Sequence, residues 1–130
     1  MDPSQSAPVA LAERRLAWVD ARQRVLAQNI AHADTPGYLP RDLTDFARVV
    51  QRQGAQAVGL ARTDDRHLVV ARDPRARIDR TATETTPNGN AVSLDWEAMK
   101  VADTDGAHAL AIGLHRRWLG LFRTALGRAQ

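Results

Sequence analysis

Histidines and carboxylates are the side chains of this 130-residue chain whose types and spacing come closest to a catalytic or metal site. His32 and Asp34 precede a Pro-Gly pair, and His108 and His115 stand one heptad apart, with Asp105 three residues before His108. Such a site needs two or three of these groups to converge, whereas seven residues separate two helical positions by about 10 Å. The spacing therefore favours single histidines on helix faces.

Motifs of the common catalytic and nucleotide-binding sites are missing from the sequence. No Gly-rich phosphate loop follows a strand, no GxSxG elbow occurs, and no carboxylate pair is marked out by an apolar setting. Cysteine is absent, which removes disulfides and thiolate metal sites. We therefore expect no enzymatic activity, no cofactor, no metal and no small-molecule substrate.

The basic charge of the chain suggests a second class of function, nucleic-acid binding. The net charge is +3, and arginine supplies all of the 18 basic residues except Lys100. An Arg-rich helical module that binds nucleic acid is the alternative, and its binding would fall steeply with salt. The arginines are interleaved with 15 acidic residues and few aromatics, so we expect no nucleic-acid partner.

No signal peptide opens the chain and no uncharged apolar run approaches about 18 residues, so we expect no membrane insertion.

A helix must end at the stretch Asn29-Ile30-Ala31-His32-Ala33-Asp34-Thr35-Pro36-Gly37-Tyr38. Pro36 removes a backbone donor and pushes Thr35 out of the helical region, and Pro-Gly suits the two central positions of a type II turn. The sequence predicts a helix end near residues 33 and 34, a positive φ at Gly37, and Tyr38 as the anchor of the exit.

Before this corner, the apolar pattern predicts one long helix over residues 9–34, after a mobile tail over residues 1–8. Its heptad seam consists of Val9, Ala12, Leu16, Val19, Gln23, Leu26, Ile30 and Ala33. A second stripe of Leu11, Trp18 and Val25 lies on another face. A helix that is apolar on two faces needs partners on both, and we expect the second from another subunit.

For the central segment, residues 35–92, the sequence predicts little regular structure. Thr44 is a possible N-cap for a short helix containing Phe46, Val49 and Val50, and Gly54 would close it. Leu68-Val69-Val70 could form a short strand or an apolar anchor. Residues 72–90 are typical of extended or loop structure, with a turn at Asn88-Gly89-Asn90.

The last segment, residues 93–127, predicts a second long helix of about 50 Å, with Ser93 as its N-cap. In the C-terminal half of this helix, about half of the circumference is apolar. Gly106, Gly113, Gly120 and Gly127 recur every seven residues on the remaining side, where they weaken an isolated helix but allow another backbone to approach. We hypothesise that neighbouring subunits order this helix, the alternative being that the glycines reflect composition alone.

The predicted fold class is mainly α, with long N- and C-terminal helices packing as a coiled-coil-like pair around a short, irregular or partly extended centre. In this setting NIAHADTPGY resembles the N-terminal signature of the bacterial flagellar axial proteins, which are the rod, hook and hook-filament junction subunits. RDLTDF, Thr63 with His67-Leu68, and NGNAVSLDWEAMKVAD narrow the resemblance to the short proximal-rod subunits. The matches cover most of residues 10–126. His32 and His108 depart from the family pattern, which more often has asparagine and tyrosine there.

The resemblance implies a structural subunit of the basal-body rod in the periplasmic space, exported by the flagellar type III route without a cleaved signal peptide. The implied partners are further copies of the chain, other rod subunits such as FlgC, the rod-base protein FliE, the MS ring and the export gate. The nearest alternative within the family is FlgC itself.

Polymerisation would bury apolar side chains of both terminal helices between neighbouring subunits. The interface candidates are Leu11, Leu16, Trp18, Val19, Val25, Leu26, Leu110, Leu114, Trp118, Leu119, Leu121 and Phe122. Gly106, Gly113 and Gly120 are the candidates for close approach.

Overall fold

The computed structural model describes residues 7–56, 75–82 and 84–127. In chain order its elements are α1 (Ala7–Ala31), β1 (Arg41–Leu43), α2 (Phe46–Gln56), β2 (Ala76–Ile78) and α3 (Leu94–Ala125). The two terminal helices pack against each other and the centre is short and irregular, which confirms the predicted fold class. Among the described residues, no helix is both long enough and apolar enough to cross a membrane.

Helices α1 and α3 run antiparallel. Asn29 near the end of α1 hydrogen bonds to Glu97 near the start of α3, whereas Gln23, further back in α1, bonds to Asp105, further along α3. The apolar core between them and the adjoining loop consists of Val9, Trp18, Val19, Leu26, Ala91 and Ala111.

The heptad seam of α1 is correct at Val9, Val19 and Leu26, which are almost fully buried. It is wrong at Ile30, which remains 40% exposed, because Asn29 occupies the buried position in that turn. The helix begins earlier than predicted, at Ala7, so residues 7 and 8 belong to α1 and not to the predicted tail, and it also ends earlier than predicted, at Ala31. The amide of Ala33 bonds to the carbonyl of Ile30, so a tighter three-residue turn replaces the α-helical pattern before the proline.

Helix α3 is a single helix of 32 residues, about 48 Å long. Ser93 is the N-cap residue as predicted, but its side chain makes no capping hydrogen bond, and its carbonyl accepts the amide of Glu97. Gly127 has φ +71° beyond the last helical turn, so it ends the helix rather than continuing the heptad of glycines.

The centre contains a two-stranded antiparallel sheet in which Arg41 pairs with Ile78 and Leu43 with Ala76. Helix α2 begins where the carbonyl of Asp45 accepts the amide of Val49, one residue after the predicted cap at Thr44. It continues to Gln56, so the predicted end at Gly54 is wrong, because an interior glycine weakens a helix by about 1 kcal/mol without stopping it. Residues Leu68-Val69-Val70 lie outside the described residues.

Candidate functional site

The corner after α1 is the tight turn that its proline and glycine predict. The amide of Tyr38 donates to the carbonyl of Thr35 at 3.3 Å, which closes a four-residue turn. Gly37 lies at the third position of this turn with φ +71°, in the left-handed region that a type II turn requires.

A second turn, over residues 86–91, braces this corner from the start of α3. The amide of Gly37 donates to the carbonyl of Asn88, and the amide of Ala91 donates to the carbonyl of Tyr38, both at 3.0 Å. Gly89 has φ +82°, and a Cβ there would lie 3.4 Å from the Cα of Gly37. The two backbones therefore touch, and the Asn-Gly-Asn turn feeds α3 as predicted.

Asn90 fastens the two turns to each other. Its side-chain amide donates to the carbonyls of His32 at 2.9 Å and Thr35 at 2.7 Å, and its side-chain oxygen accepts the amide of Val92 at 2.8 Å. This side chain is almost fully buried. It therefore gives a second hydrogen bond to two carbonyls of the corner, each of which also accepts a backbone amide of the turn.

Asn29 is the centre of the buried contacts under the corner. Its amide nitrogen donates to the carbonyl of Arg41 at 2.7 Å and to Glu97 Oε2 at 2.9 Å. Its oxygen accepts the amide of Arg41 at 2.9 Å and the hydroxyl of Tyr38 at 3.3 Å. All four hydrogen-bonding positions of a fully buried amide are used, so one side chain joins α1, the corner exit, β1 and α3.

The aromatic ring of Tyr38 stacks on the imidazole of His32. The ring centroids are 4.6 Å apart with an angle of 18° between the planes, and His32 Nδ1 lies 3.1 Å from Thr35 Oγ1. Stacking and the hydroxyl bond to Asn29 together support the predicted role of Tyr38 as an anchor. The imidazole of His32 makes these contacts within the corner, to Thr35 and Tyr38, which fits a structural role for this histidine.

A buried ionic cluster continues from Asn29 along α3. Lys100 Nζ donates to Glu97 Oε1 at 2.9 Å and to Asp79 Oδ2 at 2.5 Å. Burial lowers the pKa of Lys100, but the hydrogen bonds to Asp79 and Glu97 outweigh it and raise that pKa above 10.5. The ammonium therefore stays protonated at neutral pH, which suits a buried tie between carboxylates rather than a base or nucleophile.

A second polar cluster holds β1 and the start of α2 against α1. Arg22 forms a two-pronged pair with Asp42 at 2.8 and 2.9 Å, and the hydrogen bond to that carboxylate raises the pKa of the guanidinium. The indole of Trp18 donates to the carbonyl of Thr44 at 2.9 Å and its ring lies 6.0 Å from that of Phe46. Trp18 is therefore covered within the chain, and the expectation of a neighbouring subunit on that face is wrong at this residue.

The predicted interface residues divide by exposure. Trp18, Val19 and Leu26 are buried inside the chain, whereas Leu16, Val25, Trp118, Leu119 and Phe122 are half-buried. Leu11, Leu110, Leu114 and Leu121 are exposed. In the corner motif Asn29 is buried and Tyr38 half-buried, whereas Ile30, Ala31, Asp34, Thr35, Pro36 and Gly37 are exposed.

The predicted glycines face open space. A Cβ at Gly106, Gly113 or Gly120 would meet nothing within 4 Å, so α1 does not use the room that they leave. Among the described residues, no group of three or more His, Cys, Asp or Glu side chains could hold a metal ion.

Sequence reasoning missed Glu97, Lys100, Asp79 and Asn90, and it took Asn29 only as part of a motif. One signal was available: Lys100 is the only lysine in an arginine-rich chain and follows Glu97 by three residues on a helix. The contact of Lys100 with Asp79 spans 21 residues of sequence, and that of Glu97 with Asn29 spans 68. No local sequence pattern predicts contacts between residues so far apart in the chain.

The chain has two long antiparallel helices, a fixed corner after the first of them, and solvent-exposed leucines on both. These features are typical of a helical structural subunit of an assembly. No family model matches the chain. Among curated proteins, it is 35% identical over 100 residues to the flagellar basal body rod protein FlgB of Proteus mirabilis strain HI4320, covering 70% of this chain and 72% of that protein. It is 36% identical over 100 residues to FlgB of Escherichia coli K12, with the same coverage. FlgB of Agrobacterium fabrum is 45% identical over 58 residues, 45% of this chain and 42% of that protein.

The chain therefore belongs to the FlgB family of flagellar basal body rod proteins. It is a structural subunit of the bacterial flagellar rod. The family assignment confirms the resemblance to the axial proteins, and it identifies the rod subunit as FlgB-like rather than FlgC-like.

Proposed function

We propose that the chain polymerises into the proximal rod through exposed apolar side chains of its terminal helices, without enzymatic activity. One observation carries this proposal: Leu110, Leu114 and Leu121 are 64%, 56% and 56% exposed on one face of α3. At about 100° per residue they lie within about 40° of one another. Leu11, exposed on α1, adds to the apolar surface that neighbouring subunits would cover.

The corner would fix the direction in which the rest of the chain leaves this helical unit. Asn29 and Asn90 hold it from inside, while Ile30, Thr35 and Pro36 stay exposed and available to a neighbour. On this proposal the two terminal helices, α1 and α3, form the assembly unit, and the segment between them connects the two helices.

The neighbours in the rod would be further copies of this chain and FlgC-like subunits, with FliE, the MS ring and the export gate beneath. The support for this position is the rod-protein name that the relatives carry. We further propose that the chain reaches the periplasmic rod by flagellar type III export without a cleaved signal peptide.

Electron microscopy of basal bodies tests the proposal. Cells that lack the protein should yield MS rings without rods, and the wild-type chain should restore the rods. Leu114→Glu should be exported and folded but restore none, because a carboxylate would be buried between subunits. Ala98→Glu, an exposed position on another face of α3, is the matched control and should restore them. Complete rods without the protein would overturn the proposal, and normal rods with Leu114→Glu would overturn the interface.

A further inference from the structure

The solvent face of α3 carries a stripe that is more ordered than a scatter of exposed leucines. At about 100° per residue, seven large or charged side chains, Leu110 included, lie within about 40° of the direction of Leu110 on the helix surface. We call them the α3 stripe: Trp96, Met99, Asp103, Leu110, Leu114, Arg117 and Leu121. All of them are exposed, and the large apolar members are 44–64% exposed.

The order of residues in the α3 stripe is complementary to itself when it is reversed about Leu110. A second copy placed antiparallel, with Leu110 facing Leu110, brings Asp103 opposite Arg117 at two symmetrical places. The same placement brings Met99 opposite Leu121, and Leu114 opposite Gly106. A Cβ at Gly106 would meet nothing within 4 Å, so this position leaves room for the leucine of a second copy.

Parallel placements of two α3 helices match the charges less well. In register, Asp103 would face Asp103 and Arg117 would face Arg117, which juxtaposes like charges on an apolar surface. A shift by 14 residues pairs Asp103 with Arg117 only once and overlaps about half of the stripe. The antiparallel placement overlaps residues 96–124, about 42 Å of helix, and leaves neither charge facing its own kind.

We propose that the free chain forms a symmetric antiparallel dimer through the α3 stripe, with Asp103 and Arg117 fixing its register. A two-fold pair of this kind uses the same patch on both copies and cannot propagate. It therefore differs from rod polymerisation, which needs an open, head-to-tail interface. The dimer would keep Leu110, Leu114 and Leu121 out of water before assembly, and it must separate before these side chains can contact the rod.

Single-cysteine cross-linking tests the orientation, because the chain has no cysteine of its own. In the antiparallel pair, residue 99 faces residue 121, and the two residues 99 are about 33 Å apart. Met99→Cys and Leu121→Cys should therefore cross-link under mild oxidation only when the two purified full-length variants are mixed. Leu110→Cys should cross-link to itself. Cross-linking of Met99→Cys alone would mean parallel pairing and would overturn the proposal, as would no cross-link with any of the variants.

Analytical ultracentrifugation tests the register through the charges. Asp103→Arg should weaken the dimer about tenfold, since two attractive pairs become two like-charge contacts. Arg117→Asp should do the same, and the double variant Asp103→Arg/Arg117→Asp should recover the wild-type dissociation constant. Far-UV circular dichroism checks that each variant is folded. A monomer at all concentrations, or a double variant as weak as the single ones, would overturn the proposal while leaving the rod assignment untouched.

Discussion

The side-chain amide of Asn29 donates to Glu97 Oε2 at 2.9 Å, which joins the last turn of α1 to the first turn of α3 across 68 residues of sequence. Among the described residues, every buried side-chain nitrogen and oxygen has a hydrogen-bond partner. Asn29 contributes four of these bonds, so the first residue of the family motif acts as an internal connector between helices, corner and sheet. The motif therefore has a structural role inside the subunit besides any contact outside it.

Replacing Asn29 by alanine should destabilise the protein by about 2–4 kcal/mol. The substitution leaves the buried Glu97 Oε2 and the partly buried backbone groups of Arg41 without Asn29 as their partner, and a polar group that cannot reach water costs about 1–3 kcal/mol. Urea denaturation followed by far-UV circular dichroism measures the change. Gln28→Ala, at the exposed neighbouring position, should stay within about 0.5 kcal/mol. Equal effects of the two variants would contradict the central role of Asn29.

Replacing Lys100 by methionine should destabilise the protein by about 3–5 kcal/mol, because two buried carboxylates lose the cation between them. Asp79→Asn removes one of these carboxylates. The double variant Asp79→Asn/Lys100→Met should therefore be clearly more stable than the sum of the two single effects predicts. The same denaturation measurement completes this cycle, and additive effects would show that the ion pair does not act as a unit.

Stability should fall in acid partly through Asp79. Burial raises the pKa of this carboxyl, but hydrogen bonds from Lys100 and Thr81 outweigh it, so its pKa in the folded protein lies below 3.8. The unfolded chain then binds the proton more readily, and the stabilisation is present above about pH 4 and is lost as the pH falls through the folded pKa. Denaturation of Asp79→Asn from pH 6 to pH 2 should show a shallower loss than the wild type. Parallel curves would refute this assignment.

Gly37 allows a test of the corner by conformation alone. A Cβ at this position meets nothing within 4 Å, so a larger residue fails only through its positive φ. Gly37→Val should cost about 1–3 kcal/mol and prevent rod assembly without preventing export. Gly37→Asn, whose side chain tolerates the left-handed region, should retain most of the stability and the rods. Thermal unfolding and electron microscopy of basal bodies distinguish the two, and normal rods with valine would remove the turn from the mechanism.

Local chemistry explains which parts of this fold the sequence could predict. The Pro36-Gly37 corner and the start of α3 after Ser93 depend on backbone restrictions that a few neighbouring residues impose. The end of α1 was less predictable, because a tight turn can replace the last helical turn without any change in composition. The positive φ of Gly37 followed from its position in the turn, and the structure confirms it.

Tertiary contacts explain what the sequence could not predict. The apolar pattern placed Leu110, Leu114 and Leu121 in the apolar arc of α3, as candidates for an interface between subunits, and all three are exposed in the chain. The face of α3 that packs on α1 instead carries Glu97, Lys100, Thr104 and Ala111. Hydropathy cannot identify such a face, because its polar side chains are satisfied by residues from distant parts of the chain or, for Thr104, by the carbonyl of Lys100. Trp18 was correctly placed on a second apolar face, but its partner Phe46 lies beyond the corner, out of reach of a helical pattern.

Trp18 should prove necessary for holding α2 near α1. Its indole donates to the carbonyl of Thr44, and the guanidinium of Arg15 lies 4.9 Å from the centre of the Trp18 ring and 4.8 Å from that of Phe46.

Trp18→Phe keeps an apolar ring but removes the hydrogen bond, which should cost about 1–2 kcal/mol and leave the Thr44 carbonyl without its partner. Amide hydrogen exchange should then speed up in residues 42–50 while the α1–α3 contact near Asn29 stays protected. Trp96→Phe, at a tryptophan that is 44% exposed, is the matched control and should leave the exchange unchanged. Because β1 also depends on Arg22 and Asp42, an unchanged exchange rate in Trp18→Phe would assign the attachment of this region to that ion pair instead.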